Sequence, residues 1–243
     1  MDSKNVLLND QQNEQQIGAK MKKNIPSLQK CRLFAGMSPA DLEILLGCLQ
    51  PRQKSFYKNN YILTTEESPN MAGIVLSGAV HIVSDDEHDG RRRIIERIEN
   101  GGMFAADFCH AHHEELTVSA IAAEKTEVLF VDYRRILDAC SSACTFHTKL
   151  LKNFVILQAK QKVALLKKLE HITQSTTRKK LLSYLKEEAR LFEKSRFRIP
   201  FNHEELAHYL SVERSGLSAE LSKMRRDGLI RYEKKHFELL VEL

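Results

Sequence analysis

The feature that most constrains this chain is a helical pattern that runs without Gly or Pro across residues 146–172. It is longer than a typical helix of a globular domain, and its apolar residues recur at the heptad spacing of a coiled-coil seam. The alternative is a helix that packs only on its own domain. We predict a dimer interface along this seam. Its residues are Leu150, Phe154, Leu157, Gln161 and Ala164.

The half of the chain before this helix has the pattern of a β-rich domain. Short runs rich in β-branched and aromatic residues alternate with turn residues such as Ser77-Gly78. The runs are 55–57, 61–65, 72–76, 79–83, 93–98, 117–122 and 127–131. Seven short strands at this spacing predict a compact antiparallel barrel or roll.

Composition argues against several classes of protein. No run resembles a membrane span and the N-terminus lacks the apolar core of a signal peptide, so we expect a cytoplasmic protein. Its five Cys, irregularly spaced, are then expected to be free thiols. The formal charge is +5, and residues 171–243 hold fifteen Lys or Arg against eleven Asp or Glu. A nucleic-acid surface should therefore be sought in that last third.

Residues 202–230 carry the pattern of two helices joined by a tight turn. Asn202 followed by Glu205 is an N-cap signature for the first helix. The turn lies at 211–213, and the second helix is expected over 214–226. Its apolar face carries Leu217, Leu221 and Met224. This spacing predicts a helix-turn-helix, whose second helix enters the major groove of DNA with its N-terminal residues at the base edges.

A basic hairpin follows the second helix. Gly228 ends the helix, and residues 231–233 and 237–239 have the pattern of two strands joined by the tip Lys234-Lys235-His236. An ordinary helical hairpin would explain the apolar positions of the motif, but it would not explain the cationic cluster or these strands. The sequence therefore predicts a winged helix-turn-helix that binds double-stranded DNA.

The order of these parts resembles the Crp/Fnr superfamily of transcription regulators over about residues 30–240. The likeness rests on Leu33-Phe34 with the helix that follows, on 73–80, on 100–104, on the long helix and above all on 177–181 and the winged motif. It implies a cyclic-nucleotide-binding-type β-roll, a dimer helix and a winged helix. It also implies a homodimer that binds a palindromic operator and contacts RNA polymerase.

The expected fold class is α+β, with an antiparallel β-roll of the double-stranded β-helix, jelly-roll-like type. We expect a disordered or loose segment at 1–26, a sensory domain at 27–145, a dimerisation helix at 146–172 and a DNA-binding domain at 173–243. The chain is expected to regulate transcription and not to be an enzyme.

The start of the second helix of the motif holds the candidate base-reading residues. Arg214 matches an Arg that many family members place against DNA, and it can fork onto a guanine edge or a phosphate. Ser215 and Ser218 offer hydroxyls. Ser215 and Ala219 stand where an acidic residue and a second Arg are common, which argues against the usual target sequence. The further candidates for DNA contact are Lys223, Arg225, Arg226, Lys234, Lys235, Thr177 and Arg178.

The β-roll lacks the cation that a bound cyclic nucleotide needs. Family members that bind one carry Gly-Glu for the ribose and Arg-Ser for the phosphate, where this chain has Ala106-Asp107 and Leu116-Thr117. Residues 98–124 contain no Lys or Arg, whereas a buried phosphate needs a cation or several convergent amides. We expect an unidentified effector other than a cyclic nucleotide. The pocket residues are expected to include Phe104, Asp107 and Thr117.

Two segments rich in Cys or His keep a metal-, haem- or redox-responsive regulator open as an alternative. They hold Cys109, His110, His112 and His113 in the first and Cys140 and Cys144 in the second. Adjacent His side chains cannot all turn to one centre, so no metal site is assigned. An alternative from another class is a cupin-like metalloenzyme. That enzyme would need its His ligands on facing strands, whereas these lie on a turn.

Overall fold

Eight β-strands precede the long helix in the computed structural model, which describes residues 25–64, 71–86, 90–105, 118–137 and 145–241. The strands are β1 (Arg52–Phe56), β2 (Tyr61–Leu63), β3 (Met71–Ser77), β4 (Ala79–Asp85), β5 (Arg92–Glu99), β6 (Met103–Phe104), β7 (Ser119–Ala122) and β8 (Thr126–Asp132). Each of the seven predicted runs overlaps one of them. The two-residue strand β6 was not predicted, because so short a run has no recognisable alternation.

The eight strands form two four-stranded sheets. One has the order β1-β8-β3-β6 and the other the order β2-β7-β4-β5. Strands β1, β3 and β8 pair antiparallel, with Ile74 opposite Leu129 and both side chains fully buried. Apart from β4 and β5, strands that are neighbours in a sheet are not consecutive in sequence, as in a jelly-roll-like arrangement. The predicted antiparallel β-roll is confirmed.

Helices precede and follow the strands of the roll in the sequence. They are α1, of which residues 25–29 are described, a short 3₁₀ turn (Arg32–Phe34), α2 (Pro39–Leu49), α3 (Tyr133–Leu137) and α4 (Thr145–Ile172). Of the segment 1–26 that was expected to be disordered, residues 1–24 lie outside the described part. Ile25 is helical and buried in the core, so the ordered region begins before residue 27.

The first half of α4 packs into the core of the β-roll, which corrects the predicted dimer face. Leu150, Phe154 and Leu157 are 0%, 6% and 5% exposed and belong to the same apolar cluster as the roll and its helices. The Phe154 ring meets the Tyr133 ring edge to face at 5.7 Å. Three of the five residues predicted at the dimer interface therefore contact their own domain. Gln161 is half-buried and Ala164 is exposed.

A second apolar stripe on α4 faces solvent. Its residues, between 39% and 60% exposed, are Leu151, Val155, Ile156, Val163, Leu165, Leu166 and Leu169. Leu151, Val155 and Leu165 each follow a residue of the predicted heptad seam by one position. At 3.6 residues per turn, a displacement of one residue turns a seam by about 100° around the helix. The two stripes thus occupy different faces of α4.

The chain divides into two compact units, Met1–Ile82 with Arg97–Ala159 and Val83–Glu96 with Lys160–Leu243. The second unit contains α5 (Thr177–Phe192), α6 (His203–Leu210), α7 (Arg214–Arg226) and a sheet of order β10-β11-β9. Its strands are β9 (Arg196–Arg198), β10 (Ile230–Glu233) and β11 (His236–Leu239). None of the helices in the described ranges combines the length and hydropathy needed to span a bilayer.

A buried lysine lies at the centre of this second unit. The Lys168 ammonium, on a side chain only 6% exposed, donates hydrogen bonds to the carbonyls of Ile94 and Ile95 at 2.5 and 3.0 Å. It also lies 5.0 Å from the centre of the Tyr209 ring, within the range of a cation–π contact. Burial lowers the pKa of Lys168 to about 8, and the nearby carboxylate of Glu96 opposes this shift.

The lowered pKa of Lys168 predicts a stability that rises with pH. Between about pH 8 and the ordinary lysine pKa of about 10.4, the unfolded chain binds this proton and the folded chain does not. The free energy of unfolding of the wild type should therefore increase across that window relative to Lys168→Met, by on the order of 2–3 kcal/mol. Urea denaturation at several pH values measures the difference. Parallel pH profiles for the two proteins would contradict the prediction.

Candidate nucleic-acid interface

Helix α6 begins with a complete capping box. The Asn202 side chain accepts a hydrogen bond from the Glu205 N–H at 2.9 Å, and the Glu205 carboxylate accepts one from the Asn202 N–H at 2.8 Å. Two amides near the start of the helix are thereby satisfied. The predicted N-cap is confirmed, and it sets the first helix of the motif at His203.

The turn after α6 is closed by its own backbone. Ser211 takes a left-handed conformation with φ 52°, and the Val212 N–H donates to the Ala207 carbonyl at 3.0 Å. Ala207 is fully buried, and its small side chain allows α6 and α7 to approach closely. These features give the turn the geometry of the predicted helix-turn-helix.

Helix α7 has one buried and one exposed face. Its buried residues are Leu217, Leu221 and Met224, each 0% exposed. The exposed residues of its first half include Arg214, Ser215 and Ser218. The start of a helix also favours anions, because its first N–H groups have no partners within the helix. The first half of α7 therefore presents one cation and two hydroxyls beside a terminus that attracts phosphate.

The second half of α7 carries three exposed cations. They are Lys223, Arg225 and Arg226. The Arg225 guanidinium carbon lies 5.5 Å from the centre of the Tyr232 ring, so this side chain contacts the wing. Lys223 and Arg226 are exposed at the end of the helix where phosphate contacts were predicted.

The wing is a twisted extension of the small sheet. Strands β10 and β11 pair antiparallel from Ile230 opposite Leu239 to Glu233 opposite His236. The tip residue Lys234 is exposed and takes a left-handed conformation with φ 53°. The hairpin predicted from the sequence is confirmed.

Lys235 turns back toward the body of the motif instead of extending from the wing. Its ammonium donates to the Pro200 carbonyl at 2.5 Å and lies 3.8 Å from the Glu205 carboxylate. Because Glu205 also caps α6, this lysine joins the wing to the start of that helix. Its role as a DNA contact stays a prediction.

Arg178 is likewise engaged within the chain. It is the second residue of α5. Its guanidinium forms ion pairs with Glu220, which lies in α7, and with Asp227, which is the C-cap of α7. The hydrogen bonds that Arg178 donates to Glu220 and Asp227 raise the pKa of Arg178, and the bond to Glu220 contributes most. Its role as a DNA contact stays a prediction. The seven-residue spacing of the two carboxylates places them on one side of a helix, a signal that sequence reasoning missed.

The residue just before α7 is paired with a cation. Glu213, the N-cap of α7, forms an ion pair with Arg91. The two arginines that follow Arg91 bind carboxylates of their own, Arg92 with Asp85 and Arg93 with Asp86. A negative charge at the N-terminal end of α7 is thereby balanced.

The predicted effector pocket is described only in part. Phe104 is 3% exposed, and its ring meets the Phe130 ring edge to face at 6.4 Å. Asp107 and Thr117 lie outside the described residues. The Cys and His candidates for metal, haem or redox chemistry also lie there, namely Cys109, His110, His112, His113, Cys140 and Cys144. Within the described ranges, no three His, Cys, Asp or Glu side chains are grouped to hold a metal.

Two family models match the chain in sequence order. A cyclic nucleotide-binding domain matches residues 53–143, and a Crp-like helix-turn-helix domain matches residues 179–241. Together they span more than half of the chain. A search of curated proteins found no match to this sequence.

Solved bacterial structures share this fold. FixK2 from Bradyrhizobium japonicum is 18% identical, with a TM-score of 0.61 over 79% of this chain and 93% of that one. A CooA variant from Carboxydothermus hydrogenoformans is 20% identical, with a TM-score of 0.65 over 85% and 93%. CLP from Xanthomonas campestris, described as a c-di-GMP responsive global regulator, is 15% identical, with a TM-score of 0.68 over 84% and 100%.

Identities this low show a shared fold and nothing finer. The family models add what the structures alone do not, because they match both the β-roll and the winged motif in the expected order. The expected resemblance and the expected fold class are both confirmed. This chain belongs to the Crp/Fnr superfamily of transcription regulators.

Proposed function

We propose that this protein is a sequence-specific DNA-binding transcription regulator that acts as a homodimer. The observation that carries the proposal is the exposed first half of α7, where Arg214, Ser215 and Ser218 face solvent on a capped helix-turn-helix with a wing. A helix of this kind enters the major groove through its first residues. The protein acts in the bacterial cytoplasm with RNA polymerase as a partner, and it catalyses no reaction.

The exposed cations divide between base reading and phosphate contact. Arg214 reads a base edge, since an arginine fork matches the two acceptors of guanine. Lys223, Arg226 and Lys234 contact phosphates from the end of α7 and the tip of the wing. Thr177, half-buried at the first position of α5, is kept as a further phosphate contact.

The homodimer forms through the exposed stripe of α4. In one protomer Val155, Val163 and Leu166 are 60%, 52% and 52% exposed, and a long apolar stripe in water favours association. Leu151, Leu165 and Leu169 continue it at coiled-coil spacing. In this arrangement the dimer helix at 146–172 separates a sensory domain at 27–145 from a DNA-binding domain at 173–243.

The sensory domain responds to an effector other than a cyclic nucleotide. No Lys or Arg occurs in residues 98–124. Arg97, just before this stretch, contacts His81 at 3.1 Å and pairs with Glu99 and Glu124. These contacts support the proposal, because the cation that precedes this stretch is already engaged by carboxylates.

Arg214 and Lys223 should differ in their effects on DNA binding. Arg214→Ala should weaken binding to the operator by about 1–3 kcal/mol and relax discrimination at one base pair, because a bidentate contact to guanine is lost. Lys223→Ala should weaken binding to all DNA sequences alike, because only a phosphate contact is lost. It should also reduce the slope of log affinity against log salt concentration by about one. Fluorescence anisotropy at several salt concentrations, on DNA selected from a random pool, measures both. Unchanged operator affinity in Arg214→Ala would overturn the assignment.

Charged substitutions on the exposed stripe should abolish the dimer. Val155→Glu combined with Leu166→Glu places two carboxylates where a partner helix would cover apolar side chains. Burying each of those apolar side chains contributes about 1.5–3 kcal/mol, whereas burying an unpaired carboxylate costs free energy. Light scattering should report a monomer, and operator binding should be lost with it. Lys160→Glu, exposed on the same helix but outside the stripe, is the matched control and should remain dimeric. A double variant that stays dimeric would place the interface elsewhere.

Cyclic AMP and cyclic GMP should not bind. A phosphate buried without a cation loses several kcal/mol of hydration free energy, which is enough to remove a micromolar affinity. Titration calorimetry with about millimolar nucleotide should show no saturable heat, and the melting temperature should not change. Saturable binding at micromolar concentrations would show that residues elsewhere in the chain supply the missing cation.

A further inference from the structure

Arg178 connects two helices of the DNA-binding unit at two separate points. Its Nε donates to Glu220 Oε1 at 2.6 Å, and its Nη2 lies 2.7 Å from Asp227 Oδ2. Glu220 is in the middle of α7 and only 17% exposed, while Asp227 is its C-cap. One guanidinium from α5 therefore binds two carboxylates that lie about two turns apart along α7.

Arg178 and Asp227 each lie at the end of a helix whose dipole disfavours their charge. A cation in the first turn of α5 meets the positive end of that helix, and an anion at the C-cap of α7 meets the negative end. Neither residue is favoured where it stands by its own helix. Their mutual ion pair offsets both unfavourable placements, which gives a physical reason for this combination of residues.

The apolar contacts of α7 do not set its orientation by themselves. Leu217, Leu221 and Met224 anchor the helix through burial, which is non-directional and permits small rotations and shifts. Charge-assisted hydrogen bonds are short and directional, and a fork that reaches two acceptors tolerates neither movement. A shift of α7 along its axis would break at least one of the two bonds.

We propose that Arg178 is a positioning residue that holds α7 in the orientation from which Arg214 reads DNA, an inference that rests on the proposed function. In doing so it also neutralises Glu220 and Asp227, two carboxylates on the helix that approaches the phosphates. Arg178 thus acts on sequence recognition through α7 and makes no DNA contact of its own.

The decisive variants are Arg178→Lys and Glu220→Gln. Lysine keeps the charge but cannot span both carboxylates, and glutamine removes the stronger acceptor while Arg178 stays. Each should lower the ratio of operator to non-operator affinity by about ten-fold, within the range expected for a coupled and partly exposed pair. The salt slope for non-operator DNA should remain that of the wild type. Lys179→Ala, an exposed neighbour on α5, is the matched control and should keep the ratio.

Binding is measured by anisotropy on an operator that the wild type selects from a random pool, and circular dichroism verifies that each variant is folded. A phosphate contact by Arg178 would give the opposite pattern. Glu220→Gln would then strengthen binding to every sequence, and Arg178→Ala would weaken every sequence and reduce the salt slope. That pattern, or no change in any variant, overturns this inference. A wild type that selects no sequence overturns the proposed function instead.

Discussion

The burial of one face of α4 in the core of the β-roll is the interaction on which the arrangement of this protein depends. Leu150, Phe154 and Leu157 join the same cluster as the sheets and the N-terminal helices, which determines the face of the helix that is covered. Once that face is covered, the other apolar stripe, with Val155 and Leu166, is left in water. The homodimer we propose follows from this division, because a coiled coil can form only along the uncovered seam.

The charges of the winged motif serve two separate purposes. Arg178 and Lys235 bind carboxylates and a carbonyl that lie within the motif. Arg214 and Lys223, by contrast, are exposed on α7. A unit that approaches a polyanion must neutralise its own carboxylates, because an unpaired one near the phosphates would repel the DNA. Part of the positive charge of this region, that of Arg178 and Lys235, is therefore engaged within the motif.

The fold of the β-roll and the ligand it would bind are separate questions. The match to a cyclic nucleotide-binding domain covers residues 53–143, which include the eight strands of the roll apart from the first residue of β1. The arginines near the roll bind carboxylates, as Arg97 binds Glu99 and Arg92 binds Asp85. Specificity belongs to side chains placed on a fold, so the fold alone does not assign the effector.

The sequence by itself determined the local elements, since helix caps, strand alternation and turn residues depend on neighbours along the chain. The capping box at Asn202, the helix over 214–226 and the wing were all predictable in this way. Only the tertiary structure decided which of two adjacent stripes of α4 is the core, because both have the same heptad spacing. It also decided that Arg178 meets Glu220 across 42 residues, since the spacing of Glu220 and Asp227 places two carboxylates on one side of a helix but does not identify the cation that binds them.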